Sequence, residues 1–242
     1  MIDDLPLARV QAALEGLDTP QLIRLLAAGD EVQECWRVLR KAELNVVGEM
    51  LRGPRPFVEL EHYPDDDVFD AETQSQYYYH AHRGLPGENG HFHTFVRQRG
   101  MPPGMRPVAE RASEPWPTGD VALSHLVAIS MDGWGYPIGL FTTNRWVTDE
   151  AWYAAADVTQ LLERFRVDHA GPSWPANRWI SAMFVLFQPQ MVLLLEDRDS
   201  QVERWRQDHP GEDVFEDRAL EVTSWLPISV DAQIDFVRRR LR

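Results

Sequence analysis

The pattern of the chain predicts an α+β protein, with N-terminal helices, a central and largely antiparallel β-sheet or partial barrel, and C-terminal helices. Three observations carry this expectation. Apolar residues recur at helical spacing between Pro6 and Leu51; the following stretch, as far as Thr143, turns to Tyr, Phe, Val, Thr and His punctuated by turn residues; helical spacing then returns. With 242 residues and 44% hydrophobic content the chain can bury a sizeable core. The break at Gly53-Pro54-Arg55-Pro56 divides it into a helical segment, 1–53, and an α+β core, 54–242, which are expected to pack as one integrated domain.

The first helices follow from three apolar faces: Leu7, Val10, Leu14 and Leu17; then Leu22, Leu25 and Leu26; then Val32, Trp36, Leu39 and Val46. Thr19-Pro20 reads as a cap followed by proline at the first helical position. Strands are expected over 57–63, 76–83, 91–97, 121–131 and 137–143, with a hairpin turn from Met131 to Pro137. The Pro/Gly-rich loop 100–119 is long enough to wrap a sheet face. Thr148-Asp149-Glu150 offers a hydroxyl cap and an acidic first turn for a helix over 148–167. Helices over 177–187 and 191–207, a late strand over 222–228 and a last helix from Asp231 complete the order.

Charge narrows the partners. Thirty-eight acidic against 24 basic residues give a net charge of −14, which repels phosphate backbones and anionic lipid. Arg238-Arg239-Arg240 and Arg242 read as the basic end of a helix rather than a nucleic-acid patch. The opening MIDDLPLARV shows no basic-then-apolar leader, and no apolar run approaches the ~20 residues that span a bilayer. The expectation is a cytoplasmic protein acting on a small-molecule substrate, with neither nucleic acid nor membrane as partner; its oligomeric state is left open. The single cysteine, Cys35, reads as a packed thiol.

Chemistry concentrates in histidine. Six of the eight histidines fall between positions 62 and 125, four of them in YYYHAHRGLPGENGHFH. Because side chains alternate along a strand, His80 and His82 share one face and His91 and His93 share one face. The turn-rich residues 83–90 connect them as a wide hairpin. Pairing His82 with His91, His80 with His93 and Tyr78 with Phe95 gathers four imidazoles on one face and leaves Tyr77, Tyr79, Ala81, Phe92, Thr94 and Val96 for a core. With strands ~4.8 Å apart, three or four of these imidazoles reach a common ion at ~2.0–2.1 Å.

His125, in the apolar stretch LSHLVAIS, is a further candidate ligand, and His62 could share the sheet. Glu59 and Glu61 alternate on one expected strand, placing Glu61 to orient an imidazole or act as base. Glu88 reads as a solvated turn residue, and Asp65, Asp66, Asp67 and Asp70 as a solvated acidic loop without calcium-site spacing. Arg145, before the helix at Thr148, could clamp a substrate carboxylate.

One transition-metal ion is therefore expected, iron or copper first and zinc as the alternative, because imidazole suits all three and no cysteine partners exist for thiolate sites. The histidine set on a sheet within an aromatic pocket resembles the sites of cupin-type non-haem iron, manganese or copper dioxygenases in arrangement. Here Glu88 follows His82 at a longer spacing than the cupin glutamate, and the third histidine is near rather than distant. The block HYP…YYYHAHR…GHFHTF resembles an uncharacterised bacterial family known only as a domain of unknown function. That resemblance covers most of the chain and implies no activity.

Three functions follow as expectations. The first is a metal-dependent oxidoreductase or oxygenase with Tyr78 and Phe95 walling the pocket. The second is a zinc hydrolase with Glu59, Glu61 or Glu88 as base, though no HExxH is present. The third is a non-catalytic metal or ligand carrier. GxSxG, GxxxxGK[ST] and strand-linked GxGxxG motifs are absent.

Overall fold

Capping residues, as much as periodicity, set the N-terminal helices of the computed structural model, which describes residues 5–54, 56–82, 87–108, 113 and 115–242. Helix α1 spans Leu7–Glu15 and α2 spans Thr19–Arg40. The cap of α2 is Asp18, one residue before the expected Thr19. Its carboxylate accepts from the Gln21 N–H at 2.8 Å while the Gln21 side chain accepts from the Asp18 N–H at 2.9 Å. This reciprocal box satisfies two otherwise orphaned donors. Pro20 sits in the first turn, where a missing N–H costs nothing. A short helix α3, Val46–Met50, is capped by Asn45.

A seven-stranded antiparallel sheet forms the centre, with helices before and after it, so the α+β class holds. The strands are β1 Tyr63–Phe69, β2 Ser75–His80, β3 Gly90–Arg97, β4 Leu123–His125, β5 Ala128–Met131, β6 Pro137–Thr143 and β7 Val222–Pro227. Their order is β1-β2-β3-β5-β6-β7, with β4 also paired to β3. Strand β3 is thus bordered by β2 on one side and by β4 and β5 on the other.

Three elements differ from the sequence expectation. The strand expected over 57–63 is displaced toward the C terminus, because Leu60 has a left-handed φ of 69° that ends any extended run there. The acidic residues Asp65, Asp66 and Asp67 lie within β1 as a bulge, the register jumping from Tyr63↔Tyr79 to Val68↔Tyr77. Asp70 is buried and accepts three backbone N–H groups, from Glu72, Thr73 and Asp168, so it is a structural cap and not a solvated loop residue. The stretch 121–131 breaks into β4 and β5, with Leu126 N–H bonded to the Thr94 carbonyl between them.

The helix expected over 148–167 becomes two, α4 at Arg145–Thr148 and α5 at Ala155–Leu162. Asp149 turns left-handed at the end of α4. The linking residues are held extended by tertiary bonds, Ala151 N–H to the Leu123 carbonyl and the Arg198 guanidinium to the Tyr153 carbonyl. Helices α6 Trp174–Leu186, α7 Gln188–Asp208 and α8 Val230–Arg240 follow the expected order. Among the described residues no single helix is long and apolar enough to cross a membrane. The Pro/Gly-rich loop carries only a short 3-10 turn at each end among its described residues; 109–112 and 114 lie outside them.

One apolar cluster runs from Leu5 to Ile234 and joins α2, α6 and α7 to one face of the sheet. On that face Tyr77, Tyr79, Phe92 and Val96 are buried, and Phe92 meets Trp179 of α6 at 5.5 Å between ring centroids. The hydroxyl of Tyr77 donates to Asn177, so the aromatic wall buries no unmet phenol there. Each such ring contributes about 1.5–3 kcal/mol by leaving water. Cys35 is packed in the same cluster, and burial pushes its thiol up to about 12, which keeps it unreactive.

Candidate metal centre

The opposite face of β2 and β3 carries the histidines. Observed cross-strand pairs are His80↔His91, Tyr78↔His93 and Gln76↔Phe95. This register is two residues away from the expected His82↔His91 and His80↔His93 pairing. An even slip keeps every side chain on its face, so the gathering of histidines survives while the partners change. Gly90 permits the observed register. Gly90 begins β3 opposite the end of β2, and an added Cβ there would collide with the Tyr79 hydroxyl and the His80 carbonyl oxygen. Strand β2 consequently ends at His80, and His82 lies beyond it. Residues 83–86 of the expected turn lie outside the described residues.

His80, His91 and His93 form a group whose ligand atoms all lie within 4.8 Å of one another, a triad that can hold a metal ion. His80 Nε2 and His91 Nε2 are 2.7 Å apart. His91 Nδ1 is 2.9 Å from the Glu88 carboxylate, whose side chain is only 2% exposed. Glu88 is therefore buried behind His91 rather than solvated at a turn tip. A carboxylate accepts only, so His91 donates from Nδ1 and its Nε2 keeps a lone pair. That is how a ligating histidine is usually oriented.

His93 repeats the arrangement with a different partner. Its Nδ1 lies 3.0 Å from Nε2 of His125, on β4. The His125 backbone N–H in turn donates to the Glu150 carboxylate at 2.6 Å. With His93 donating from Nδ1, its Nε2 is an acceptor. That atom is buried and finds no hydrogen-bond partner among the described residues. An unmet buried polar atom costs about 1–3 kcal/mol. An ion bound through the lone pair removes that penalty, so the donor set fits a metal.

The electrostatics keep these rings in the form a metal requires. Burial, then the neighbouring His91 and His82, lowers His80 to about 3. Burial first, and the adjacent histidines next, hold His93 well below its ordinary value. Burial and then Arg198 bring His125 down to about 3. His82 is also lowered, by burial and then His91, against the opposing pull of Glu221, Glu88 and Glu59. Burial thus disfavours the imidazolium form of His80, His93 and His125, and the neutral ring is the form that can offer a lone pair to an ion. Nitrogens bound to one ion at about 2.1 Å stand about 3.4 Å apart in a tetrahedral set, so the His80–His91 pair opens slightly on binding.

The remaining predicted residues distribute around this centre. Tyr78 is buried next to it, its ring 5.3 Å from His93 and 5.5 Å from His80, and burial raises its phenol pKa. His62 stacks on Tyr78 at 3.5 Å and bonds Asp67. Phe95 and Phe141 close the wall at 6.3 and 6.2 Å from His93. His82, half-buried, sits 5.2 Å from His80 and 5.0 Å from His91 between centroids, at the rim. Glu61 is exposed before β1 and is not brought to the triad. Arg145 is buried, bonded to Glu216 at 2.6 Å, Asp149 at 3.1 Å and the Glu150 carbonyl at 3.0 Å.

A cavity of about 120 Å³ adjoins His91 and His93 and reaches Thr143 of β6 and Glu221 before β7. Two larger hollows, about 790 Å³ between α2 and α6 and about 520 Å³ along β1, share no residue with it. Size alone favours those, but convergent imidazoles occur only at the small one among the described residues. Thr143 and Glu221 escaped the sequence reading. Thr143 alternates with Phe141 on an expected strand, which is the one signal that places both on one face.

The family profile for a domain of unknown function, DUF6969, matches residues 26–228, and the chain belongs to that family. The matched span includes every strand of the sheet, the triad and its supporting residues. No curated protein and no solved structure matches the chain.

Proposed function

We propose that this protein binds one iron or copper ion through His80, His91 and His93 and uses it as an oxidoreductase, in the manner of an oxygenase, on a small molecule. The observation that carries the reading is the buried, unpartnered Nε2 of His93 in a triad whose two other ligand atoms already meet. The bound ion would supply redox chemistry and a position for a ligand. The chain supplies the orientation: Glu88 fixes His91, His125 fixes His93, and Tyr78, Phe95 and Phe141 keep bulk water from the rings. A cavity of about 120 Å³ suits a compact substrate or a diatomic oxidant better than an extended hydrolysable one.

A zinc-dependent hydrolase is the second reading, favoured by the Glu221 carboxylate on the cavity wall, where a base for bound water would sit. Elemental analysis of tag-free protein prepared without chelator separates the two. About one equivalent of iron or copper per chain, with an absorption band that shifts on adding nitric oxide or dithionite, supports the first. About one equivalent of zinc and no such band supports the second. Failure to retain iron, copper or zinc after reconstitution rejects both.

A further inference from the structure

We infer that the cavity beside the triad prefers a small neutral or cationic hydrogen-bond donor, an amine, amide or alcohol, to carboxylates and phosphates. The inference rests on the metal-centre reading for what the ligand meets there, but its own observations are the size, charge and unmet polarity of the cavity. A volume of about 120 Å³ is slightly below the roughly 150 Å³ of an apolar cavity that holds benzene, which limits the occupant to about half a dozen heavy atoms.

Charge sets the class. The carboxylates of Glu88 and Glu221 line the cavity, and no lysine or arginine does so among the described residues. Arg145, the sequence candidate for an anion clamp, spends its guanidinium on Glu216, Asp149 and the Glu150 carbonyl. With the ion counted, the two carboxylates offset its charge, so an anionic ligand finds no net attraction there and no lysine or arginine among the described residues to supply one. A donor meets an acceptor instead. Glu88 is already bonded to His91, which leaves Glu221, exposed at the rim, to receive the ligand.

The hydroxyl of Thr143 supplies the second contact. The residue is 2% exposed, its Oγ1 is buried without a partner among the described residues, and it lines the cavity. Its strand neighbour Thr142, on the other face, is fully engaged with Thr223 and Ser224, so the unmet hydroxyl is specific to the cavity side. Phe141 and Val147 provide a short apolar wall for one or two carbons between the polar ends.

The test uses the full chain loaded with Co(II), whose visible absorption reports ligands near the ion, and three probes of similar size: ethanolamine, acetamide and acetate. Ethanolamine and acetamide are expected to shift the spectrum at concentrations about 10-fold below acetate, the scale of one charge-assisted hydrogen bond. Glu221→Gln should narrow the gap between ethanolamine and acetate. Thr143→Val should weaken both donors about 5-fold. Acetate binding as tightly as ethanolamine, or a ranking that neither variant alters, overturns the inference. Should Thr143→Val not fold, Glu221→Gln decides alone, since its side chain is exposed. A chain that takes up no cobalt defeats the metal reading separately. The same probes followed by calorimetry on the metal-free protein then decide the preference of the cavity.

Discussion

Strands β2 and β3 present two faces made by alternate residues of one hairpin, and the two are buried to a similar degree but satisfied to different degrees. On the core face Tyr77 donates to Asn177, Tyr79 accepts from Asn89 at 2.9 Å, and Phe92 and Val96 need no polar partner. On the histidine face His93 Nε2 is unmet among the described residues, as are Ser130 Oγ, on the cross-strand neighbour of His91, and Thr143 Oγ1. Among the strand residues burial does not distinguish scaffold from site, whereas hydrogen-bond satisfaction does; in the helices packed on the core face the indole N–H groups of Trp36 and Trp179 are also unmet among the described residues. Each unmet group costs about 1–3 kcal/mol, and on the histidine face three of them lie on neighbouring strands, two of them lining one cavity.

The comparison can be broken first from the core side. Phe92→Ala should cost about 3–5 kcal/mol in the denaturant midpoint, because a buried ring is replaced by a cavity. A loss below about 1 kcal/mol would mean that this face is not the scaffold. Next, His93→Ala should lower metal affinity at least about 100-fold in a competition with a chelating dye. Dialysis against chelator should lower the melting temperature of the wild type and leave that of His93→Ala unchanged, since only the former has a bound ion to lose. Equal metal retention by the two proteins would return the triad to ordinary packing.

Sharper still is Glu88→Gln, which keeps the shape but gives His91 a neutral acceptor. Metal affinity should fall about 10-fold with stoichiometry intact. No change would show that Glu88 merely fills space behind the ring.

Per pH unit, the smallest effect is a pH dependence. Burial, working against Arg198, the His125 N–H, Thr148 and Arg145, raises Glu150 from 4.5 to about 8. The folded chain then binds more protons than the unfolded one between those values. The contribution of Glu150 is therefore fully present below about 4.5 and is lost as pH rises through about 8. The slope is under about 1.4 kcal/mol per pH unit. Melting temperatures across this window should fall for the wild type and flatten for Glu150→Gln; a wild type that becomes more stable with rising pH contradicts it.

Much of this architecture was legible because period two and period 3.6 leave different marks. The alternation in YYYHAHR and GHFHTF separates histidine face from core face without any knowledge of register, and parity is all that the separation requires. Register itself depended on Gly90 as a close-approach residue, and one glycine among the Gly84, Gly87 and Gly90 of a turn-rich stretch does not declare which of them touches β2. Glu88 looked solvated because turn carboxylates usually are; only the fold-back places it under His91. His125 was visible as a polar interruption of an apolar strand, but its role behind His93 depends on β4 pairing with β3, a contact between distant segments. The split of the 148–167 helix carried no glycine or proline to mark it, since tertiary bonds to Leu123 and Arg198 hold the gap. Acidic residues hid β1 for a related reason: a bulge tolerates what a regular strand would not.

The position of β3 has a kinetic consequence. Flanked on both sides, it fixes the spacing of His91 and His93 as a two-toothed bite of set width. His80, at the last residue of β2 and only partly buried, is the less constrained third member. An ion bound by this group would have its affinity set by β3 and its exchange rate set by the fraying of the last rung of β2.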